Sequence, residues 1–374
     1  MNIFIVHPSE LLTDNRADGD GLLAYRTICE LAFRGHDISV ACEEIDLARP
    51  APRNIHLYPI KPLNMKPFER IGFALNMRRL FARLHALKQF DIAHQLNPVN
   101  AGLSLGLAGI GVPLVLGPYV SSWPSAQSSR IRRLAPDAIS SLQQCFADAI
   151  VLSSESARSR IVNHRFPPDQ TFTIPYGIDL GAFPQRPFPA GDPSILFLAG
   201  FAPRKGLLVL LAAFDLIAAR VPNVRLTVAG GGIERDTILE VAARSPYHDR
   251  IRFIGVVPRE TISETLGACT VYCSPSFGEP YGMSLVEAMA TGRPVVATAA
   301  GGPLDILDPR GGRHVPVGDA RAMAHALEEI VLDPTLSQQM GNFNRSAVEA
   351  HGWNTVVNRL EAVYELVLHR VHKR

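Results

Sequence analysis

The chain has 374 residues, of which 47% are hydrophobic, and its formal net charge is +2. This composition is that of a globular protein, and the length favours two domains. The nearly balanced charge argues against a dedicated nucleic-acid binder, whose surface would have to offset many phosphates. Nucleic acid is therefore not expected among the partners.

The five cysteines lie in apolar runs without any C-x-x-C pair, which predicts reduced thiols in a cytoplasmic protein rather than a disulfide framework. The N-terminal stretch MNIFIVHPSE has no charged leader before a long apolar segment, so it predicts a buried strand and not a signal peptide. The most apolar run, 101–117, is interrupted by glycines and a proline. It predicts a helix, a turn and a strand rather than a membrane span.

Short β-rich runs alternate with turn residues and amphipathic stretches along the whole chain. Strands that alternate with helices indicate βαβ units and parallel sheets. The predicted fold class is α/β, with two doubly wound Rossmann-like domains facing each other across a cleft. The predicted strands are 2–7, 37–42, 54–58, 92–94, 113–116, 149–152, 172–174, 194–198, 225–229, 251–254, 271–274, 295–297 and 314–316.

The Pro-rich segment FPQRPFPAGDPS interrupts this alternation halfway along the chain, as a linker would. We therefore predict an N-terminal domain over 1–185 and a C-terminal domain over 186–353. In sheets of this kind, ligands bind outside the carboxyl ends of the strands, where loops lead into helices. Site residues should therefore lie in the loops that follow the predicted strands.

The loop PSFGEPYG follows the predicted strand 271–274 and leads into the predicted helix MSLVEAMATG. The backbone N–H groups of Gly282, Met283 and Ser284 at this helix start predict an anion site that suits a phosphate. Glu287, about one turn inside the helix, has a carboxylate that can accept two hydrogen bonds from a ribose diol. Glu279 in the loop would reach the other side of the same phosphate group, so that the two acids bracket a sugar nucleotide. The alternative is an acid near the helix start together with a surface glutamate.

Two other loops carry weaker signals. Arg204 and Lys205 lie between the strand 194–198 and its helix, where two cations could neutralise a departing diphosphate. The alternative for this pair is a solvated turn. After the first strand, Gly19 and Gly21 would let the backbone approach a phosphate or a sugar closely.

With these motifs, the chain resembles the family 4 (group 1) glycosyltransferases of the GT-B architecture, which are retaining enzymes that use nucleotide-diphosphate sugars. The stretch FGEPYGMSLVEAMATGRPVVATAAGG resembles the family signature of two glutamates separated by seven residues and followed by a Gly-Gly turn. APRKG, VRLTVAGGG, VVPRETISETLGACTVYCSPS and IPYGIDLGAF also resemble family segments, in the family order. The resemblance covers nearly the whole chain.

The resemblance implies that Glu287 binds the ribose, Glu279 contacts the donor sugar, and Lys205 with Arg204 holds the diphosphate. The backbone near Val257 and its neighbour at 256 would meet the base. The implied activity is a retaining hexosyl transfer to a hydroxyl of a polysaccharide, a glycolipid or a small metabolite, as in cell-envelope glycoconjugate biosynthesis. No metal ion is expected, and no cofactor besides the nucleotide-diphosphate sugar as co-substrate. In this family the last helix, here about 354–374, packs back on the N-terminal domain.

The sequence departs from the family pattern in both domains. Where members often have Gly-Arg, this chain has Gly-Phe at 200–201, so Arg204 would supply the missing charge or the site has one cation fewer. Many members place a histidine after the strand that corresponds to PLVLGPYVSSWP, whereas Pro118 or Tyr119 occupies that place here. His94 matches a recurrent histidine of the family cleft, with a packed strand-end histidine as the alternative.

Three other functions are weighed against this transferase. Asp18 and Asp20 spell the D-x-D that metal-dependent sugar transferases use for a divalent ion, although they lie close to the first strand. A non-catalytic sugar-nucleotide binder is a second alternative. A GT-B epimerase is a third, and it would need acid and base groups around an anomeric intermediate.

For the acceptor and the location, the segment Lys61–Phe90 carries many more basic than acidic residues. It predicts either an interfacial helix that meets anionic lipid on the inner membrane face or a surface helix whose apolar face packs on its own sheet. Trp123 would stack on a sugar or pack beneath its loop. The residues on the apolar face of the helix are Met77, Leu80, Phe81, Leu84 and Leu87.

Overall fold

The structure, a computed structural model, describes residues 1–15, 19–61, 69–98, 102–121 and 130–371. The chain forms two compact units, and the first contains 1–177 and 353–374 while the second contains 178–352. The division therefore falls at 177/178 and not at the sequence-based boundary of 185/186. Ile178 is held within the second unit, where its N–H donates to the His351 carbonyl at 2.8 Å.

The strands of the first unit form one parallel sheet, which is consistent with the βαβ alternation of the sequence. They are β1 (Asn2–Thr13), β2 (Asp37–Asp46), β3 (Ile55–Pro59), β4 (Ile92–Gln95), β5 (Leu114–Tyr119), β6 (Ala149–Leu152) and β7 (Thr171–Thr173). Their order in this seven-stranded sheet is β3-β2-β1-β4-β5-β6-β7. All residues of β4 and β6 are buried, as expected for parallel strands covered on both faces.

The second unit is built around a six-stranded parallel sheet. Its strands are β8 (Ser194–Leu198), β9 (Arg225–Ala229), β10 (Ile251–Gly255), β11 (Val271–Ser274), β12 (Val295–Thr298) and β13 (Gly312–Val315). Their order is β10-β9-β8-β11-β12-β13. Each strand of the two sheets overlaps one of the sequence-predicted runs, so the predicted α/β class with two Rossmann-like domains is confirmed.

Helices connect several of the successive strands in both units, and the last three helices follow β13. They are α1 (Gly19–Phe33), α2 (Glu69–Lys88), α3 (Arg130–Cys145), α4 (Leu207–Ala218), α5 (Arg235–Ala243), α6 (Arg259–Gly267), α7 (Met283–Ala290), α8 (Pro303–Ile306), α9 (Ala320–Leu332), α10 (Pro334–Ala347) and α11 (Trp353–Val371). The Asp319 carboxylate accepts hydrogen bonds from two N–H groups at the start of α9, and the Asp333 carboxylate accepts one at the start of α10. These caps fix where both helices begin.

The side chains of β1 alternate between two apolar layers, as the period of a strand dictates. Ile3 and Ile5 belong to a buried cluster that includes residues of α1 and α11. Phe4 and Val6 face the opposite layer, which includes α2. The C-terminal helix α11 is thus part of the core of the first unit, although the chain reaches it only after completing the second.

The apolar face of α2 is buried, which decides between the two predictions for this helix. Met77, Phe81 and Leu84 are at most 7% exposed and lie in the cluster that packs on the first sheet. The structure therefore favours the surface helix that packs on its own sheet over the interfacial helix. Leu87 is exposed at the end of the helix, and 62–68 lie outside the described residues.

Within the part of the chain that the structure describes, no helix combines the length and the apolar composition that crossing a bilayer requires.

Gly206 holds the loop after β8 against the loop after β11. Its backbone lies in the left-handed region, with a φ of 68°, and a Cβ atom there would overlap the carbonyl oxygen of Pro275. The neighbouring Arg204 carbonyl accepts a hydrogen bond of 2.8 Å from the Phe277 N–H. Only glycine permits both this backbone conformation and the close approach of the two loops.

We expect Gly206→Ala to destabilise the protein by about 2–4 kcal/mol, since it adds a steric overlap to the cost of a left-handed backbone. Gly35→Ala is the matched control, because Gly35 has a φ of 85° with nothing within 4 Å of the added methyl group. The control should cost only about 1 kcal/mol. Urea unfolding curves of both variants measure the difference, and equal losses would show that the loop contact is unimportant.

Candidate functional site

The loops that follow β8 and β11 meet at the carboxyl edge of the second sheet. β8 lies between β9 and β11, so the chain order reverses at this point. Open α/β sheets bind ligands at such a switch point, outside the carboxyl ends of the strands. The predicted donor-site residues of the second unit all lie in the loops and helix starts at this edge.

Lys205 and Glu279 form an ion pair between the two loops. The Lys205 Nζ atom lies 2.6 Å from Glu279 Oε2, and the two side chains are only 16% and 13% exposed. The Ser276 hydroxyl also donates to Glu279 Oε2 at 3.3 Å. Arg204, the other predicted cation, is exposed on the same turn. The structure thus pairs Lys205, which was predicted to hold the diphosphate, with Glu279, which was predicted to contact the donor sugar.

The start of α7 lies directly beside this ion pair. Gly282 precedes the helix with a φ of 106°, and a Cβ atom there would lie 3.4 Å from Glu279 Cγ. The N–H groups of the first turn, at Met283 and Ser284, cannot bond within the helix. The Ser284 hydroxyl instead bonds the buried hydroxyl of Tyr272 at 2.7 Å, which leaves the helix start itself as a candidate anion site.

Glu287 is a buried acid that has no hydrogen-bond or ion-pair partner among the described residues. Its exposure is 8%, and among the described residues nothing donates a hydrogen bond to its carboxyl group or pairs with it. Burial raises the pKa of Glu287 to about 7, although the nearby Arg259 guanidinium acts in the opposite direction. A buried carboxyl group without a partner is costly, so this side chain is suited to a ligand that donates hydrogen bonds.

Two further loops begin at the same edge, after β9 and β10. Val256 is 75% exposed, with Val257 partly buried beside it. A Cβ atom at Gly231, in the loop after β9, would lie 3.4 Å from a Val256 methyl group. The two loops therefore touch and present an exposed apolar side chain, as the seat of a nucleotide base requires.

Phe201 stands where many family members have an arginine, and it contributes no charge to the site. It is 4% exposed and packs on Phe197 with ring centroids 6.3 Å apart. The aromatic ring thus belongs to the apolar core of the second unit. Of the predicted cations, Arg204 and Lys205 remain at this edge.

His94 is fully buried in the first unit, with both ring nitrogens engaged. Its Nε2–H donates to the Gly117 carbonyl at 2.8 Å, and its Nδ1 lies 2.6 Å from the Tyr364 hydroxyl of α11. Because a carbonyl only accepts, the proton resides on Nε2 and Nδ1 accepts from the tyrosine. Burial lowers the pKa of His94 to about 4. The structure therefore favours the alternative of a packed strand-end histidine over a catalytic one.

The other predicted residues of the first unit also differ from expectation. Tyr119 is 3% exposed. A Cβ atom at Gly21 would overlap the Leu11 carbonyl oxygen, so this glycine serves the packing of α1 on β1 rather than the approach of a ligand. Gly19, at the start of α1, has open space around it, while Trp123 lies outside the described residues.

The D-x-D hypothesis finds little support in the structure. Asp18 lies outside the described residues, and the Asp20 carboxylate accepts a hydrogen bond of 2.9 Å from the Asn97 amide. Among the residues that the structure describes, no group of three or more His, Cys, Asp or Glu side chains could hold a metal ion.

Sequence reasoning missed two residues beside the site. The Gly302 N–H donates to the Glu279 carbonyl at 2.8 Å, and the Tyr281 hydroxyl bonds His351 Nδ1 at 2.9 Å. Tyr281 lies two positions after Glu279 in the signature, so its position beside the site could be predicted from the sequence. Its partner lies 70 residues further along the chain, and no local pattern indicates such a pairing.

Comparison with known proteins identifies the family. Residues 182–347 match the family model "Glycosyl transferases group 1", and residues 21–177 match "Glycosyl transferase 4-like domain". A phosphatidyl-myo-inositol mannosyltransferase of Mycolicibacterium smegmatis is 38% identical over 52% of this chain and 51% of its own length. The chain thus spans about half the length of that relative. A D-inositol 3-phosphate glycosyltransferase of Streptomyces coelicolor is 25% identical over 99% of this chain and 92% of its own.

Solved structures share the fold. A sucrose-phosphate synthase from Thermosynechococcus elongatus has a TM-score of 0.79 at 21% identity and covers 99% of this chain and 100% of its own. Anabaena HepE in complex with UDP has a TM-score of 0.76 at 16% identity and covers 98% of this chain and 100% of its own. The chain belongs to the family 4 (group 1) glycosyltransferases, with the GT-B fold.

The buried imidazole of His94 makes the stability of the first unit depend on pH. Its pKa is about 4 in the folded chain and about 6.5 when unfolded, so the unfolded chain binds the proton first. The contribution is complete above about pH 6.5 and is lost as the pH falls towards about 4, by about 3 kcal/mol. Urea unfolding followed by tryptophan fluorescence measures it, since Trp353 is buried in this unit.

His94→Gln should flatten this part of the pH dependence, because glutamine stays neutral. His164→Gln is the control, since His164 is an exposed histidine of the same unit. An unchanged pH dependence in His94→Gln would contradict the assignment.

Proposed function

We propose that this chain transfers a hexose from a nucleotide-diphosphate sugar to a hydroxyl acceptor with retention of anomeric configuration and without a metal ion. The observation that carries the proposal is the arrangement at the start of α7. There Glu287, a buried acid with no partner in the part of the chain that the structure describes, lies within the helix whose start adjoins the Lys205–Glu279 ion pair. The nucleotide half of the donor would occupy the second unit.

The nucleoside would be held from two sides. Glu287 would accept hydrogen bonds from the two ribose hydroxyls, which supplies the partners that its buried carboxyl group lacks. The base would lie against Val256 and the glycine loop after β9, where an exposed apolar side chain meets backbone without side chains. Both contacts fit a nucleoside of any base, so they define the donor class.

The diphosphate would replace the Glu279 carboxylate as the partner of the Lys205 ammonium group. Breaking the anomeric bond places negative charge on the leaving diphosphate, and stabilisation requires cations and N–H donors there. Lys205, Arg204 and the N–H groups at the start of α7 can supply both. When Lys205 turns to the diphosphate, the Glu279 carboxylate is released and can accept hydrogen bonds from the donor sugar.

Retention follows if the leaving diphosphate itself accepts the acceptor proton on the face where the sugar departs. The developing charge is met by Lys205 and Arg204, so the proposed step routes nothing through a metal. His94 plays no part in it, since both its ring nitrogens are occupied.

The acceptor is proposed to be a polyol phosphate. The two relatives described above are named for phosphatidyl-myo-inositol and for D-inositol 3-phosphate, so an inositol phosphate, free or lipid-linked, is the first class to test. The reaction is proposed to take place in the cytoplasm. Contact with the inner membrane face would have to use the exposed side of α2, including Arg79 and Arg83, because the apolar side is buried.

The proposal is tested by thermal shift against UDP-, GDP-, ADP- and dTDP-sugars in EDTA, and again with manganese. A donor that binds the folded state raises its melting temperature. We expect one nucleotide family to stabilise the protein in EDTA. The shift should grow between about pH 6 and about pH 8, because binding to Glu287 favours loss of its proton.

Glu287→Gln should abolish most of this shift, whereas the exposed Glu264→Gln on α6 is the matched control and should keep it. A shift that requires manganese would contradict the metal-free site. Nucleotide release that depends on an added inositol phosphate supports transfer. A donor that is bound but neither cleaved nor converted indicates a binder, and conversion to an epimer of the donor indicates an epimerase.

Glu279→Gln should separate binding from catalysis. It frees Lys205 from its ion pair and removes a negative charge beside the diphosphate, so the matching nucleoside diphosphate should bind about fivefold tighter. Turnover should nevertheless fall about 100-fold, because the contact with the donor sugar is lost in the transition state. Calorimetry and initial rates measure the two effects. Weaker nucleotide binding in this variant would contradict the exchange of partners.

A further inference from the structure

The chain crosses between its two units twice, and both crossings are held together. They are the peptides 177–178 and 352–353. Ile178 forms an isolated β-bridge with Gly352 and donates its N–H to the His351 carbonyl at 2.8 Å. A change in the backbone at His351 must therefore reach both crossings.

His351 is also tied to the donor loop through its side chain. Its Nδ1 atom and the Tyr281 hydroxyl lie 2.9 Å apart and share a hydrogen bond. Tyr281 is 4% exposed and packs so closely under Gly302 that a Cβ atom on that glycine would overlap its carbonyl oxygen. Gly302 in turn bonds the Glu279 carbonyl, so Tyr281 moves with the loop that carries the ion pair.

In the first unit, the residues next to the two crossings, Gly177 and Trp353, pack tightly against each other. Trp353 is 9% exposed within the core of that unit. A Cβ atom on Gly177 would overlap its indole ring, so the first crossing lies directly against the residue that follows the second. Trp353 therefore reports on the backbone of both crossings.

We propose that Tyr281 and His351 are positioning residues that couple the state of the donor loop to the conformation of the two crossings. This inference rests on the proposed function. A nucleotide-diphosphate sugar that draws Lys205 away from Glu279 shifts the loop, the Tyr281–His351 hydrogen bond passes the shift to the backbone at His351, and the bridge with Ile178 distributes it to both crossings. Donor binding and the backbone conformation of the two crossings thereby become one equilibrium.

The experiment uses the tryptophan at the second crossing as its reporter. The chain has two tryptophans, so in a Trp123→Phe background Trp353 is the single emitter. Calorimetry measures binding of UDP-glucose and of GDP-mannose, and the emission of Trp353 is recorded in the same titrations. We expect binding in the background protein to be accompanied by a change in emission.

Tyr281→Phe removes only the hydroxyl, and we expect it to bind the donor within about threefold of the background protein while the emission change becomes roughly fivefold smaller. His351→Ala should likewise keep donor binding and lose most of the emission change. His351→Asn should restore the change, because the asparagine oxygen can take the place of Nδ1 as acceptor from Tyr281. This rescue is what a purely structural role would not produce.

Several results would overturn the inference. Donor binding without an emission change in the background protein would do so while leaving the proposed function intact. An emission change in Tyr281→Phe equal to that of the background protein would also overturn the inference. A loss of donor affinity in proportion to the loss of the emission change would overturn it as well. Absence of binding heat with both nucleotide sugars, and of any thermal shift with the wider panel, would overturn the proposed function and this inference together.

Discussion

The ion pair between Lys205 and Glu279 joins two loops that are 74 residues apart in sequence, and the candidate site is built around it. The pair forms only because β8 and β11 are neighbours in the sheet and because the chain at Gly206 passes close to Pro275. A largely buried ion pair is a weak source of stability, since desolvation offsets most of its attraction. Its position at a helix start and a sheet switch point is better explained by a role in ligand binding than by a contribution to stability.

The sheets could be predicted from the sequence because parallel strands covered on both faces leave short, continuous apolar runs. The ends of strands depend on partners instead. The first run was predicted to stop at 7, where Pro8-Ser9-Glu10 breaks the pattern, yet β1 continues to Thr13. The extension exists because Leu11 to Thr13 pair with Glu44 to Asp46 of β2, and a single-sequence pattern carries no information about that partner.

The same distinction separates the site residues. Glu279, Glu287 and Lys205 lie in loops and helix starts of one sheet edge, so topology alone brings them together. His94 follows the same local rule, as a polar residue at a strand end, but Tyr364 lies 270 residues away and occupies its Nδ1. Gly21 likewise packs on Leu11. Local sequence cannot distinguish a side chain kept for packing from one kept for a ligand, because the deciding contact is distant.

The two glutamates of the signature have different roles because their surroundings differ. Glu279, before the helix, is paired with a cation that a diphosphate can claim. Glu287, inside the helix, has no partner among the described residues, and burial raises its pKa to about 7. The helix start lies between them. In the proposed function, the diphosphate of the donor would lie at that helix start, between an acid that meets the sugar and an acid that meets the ribose.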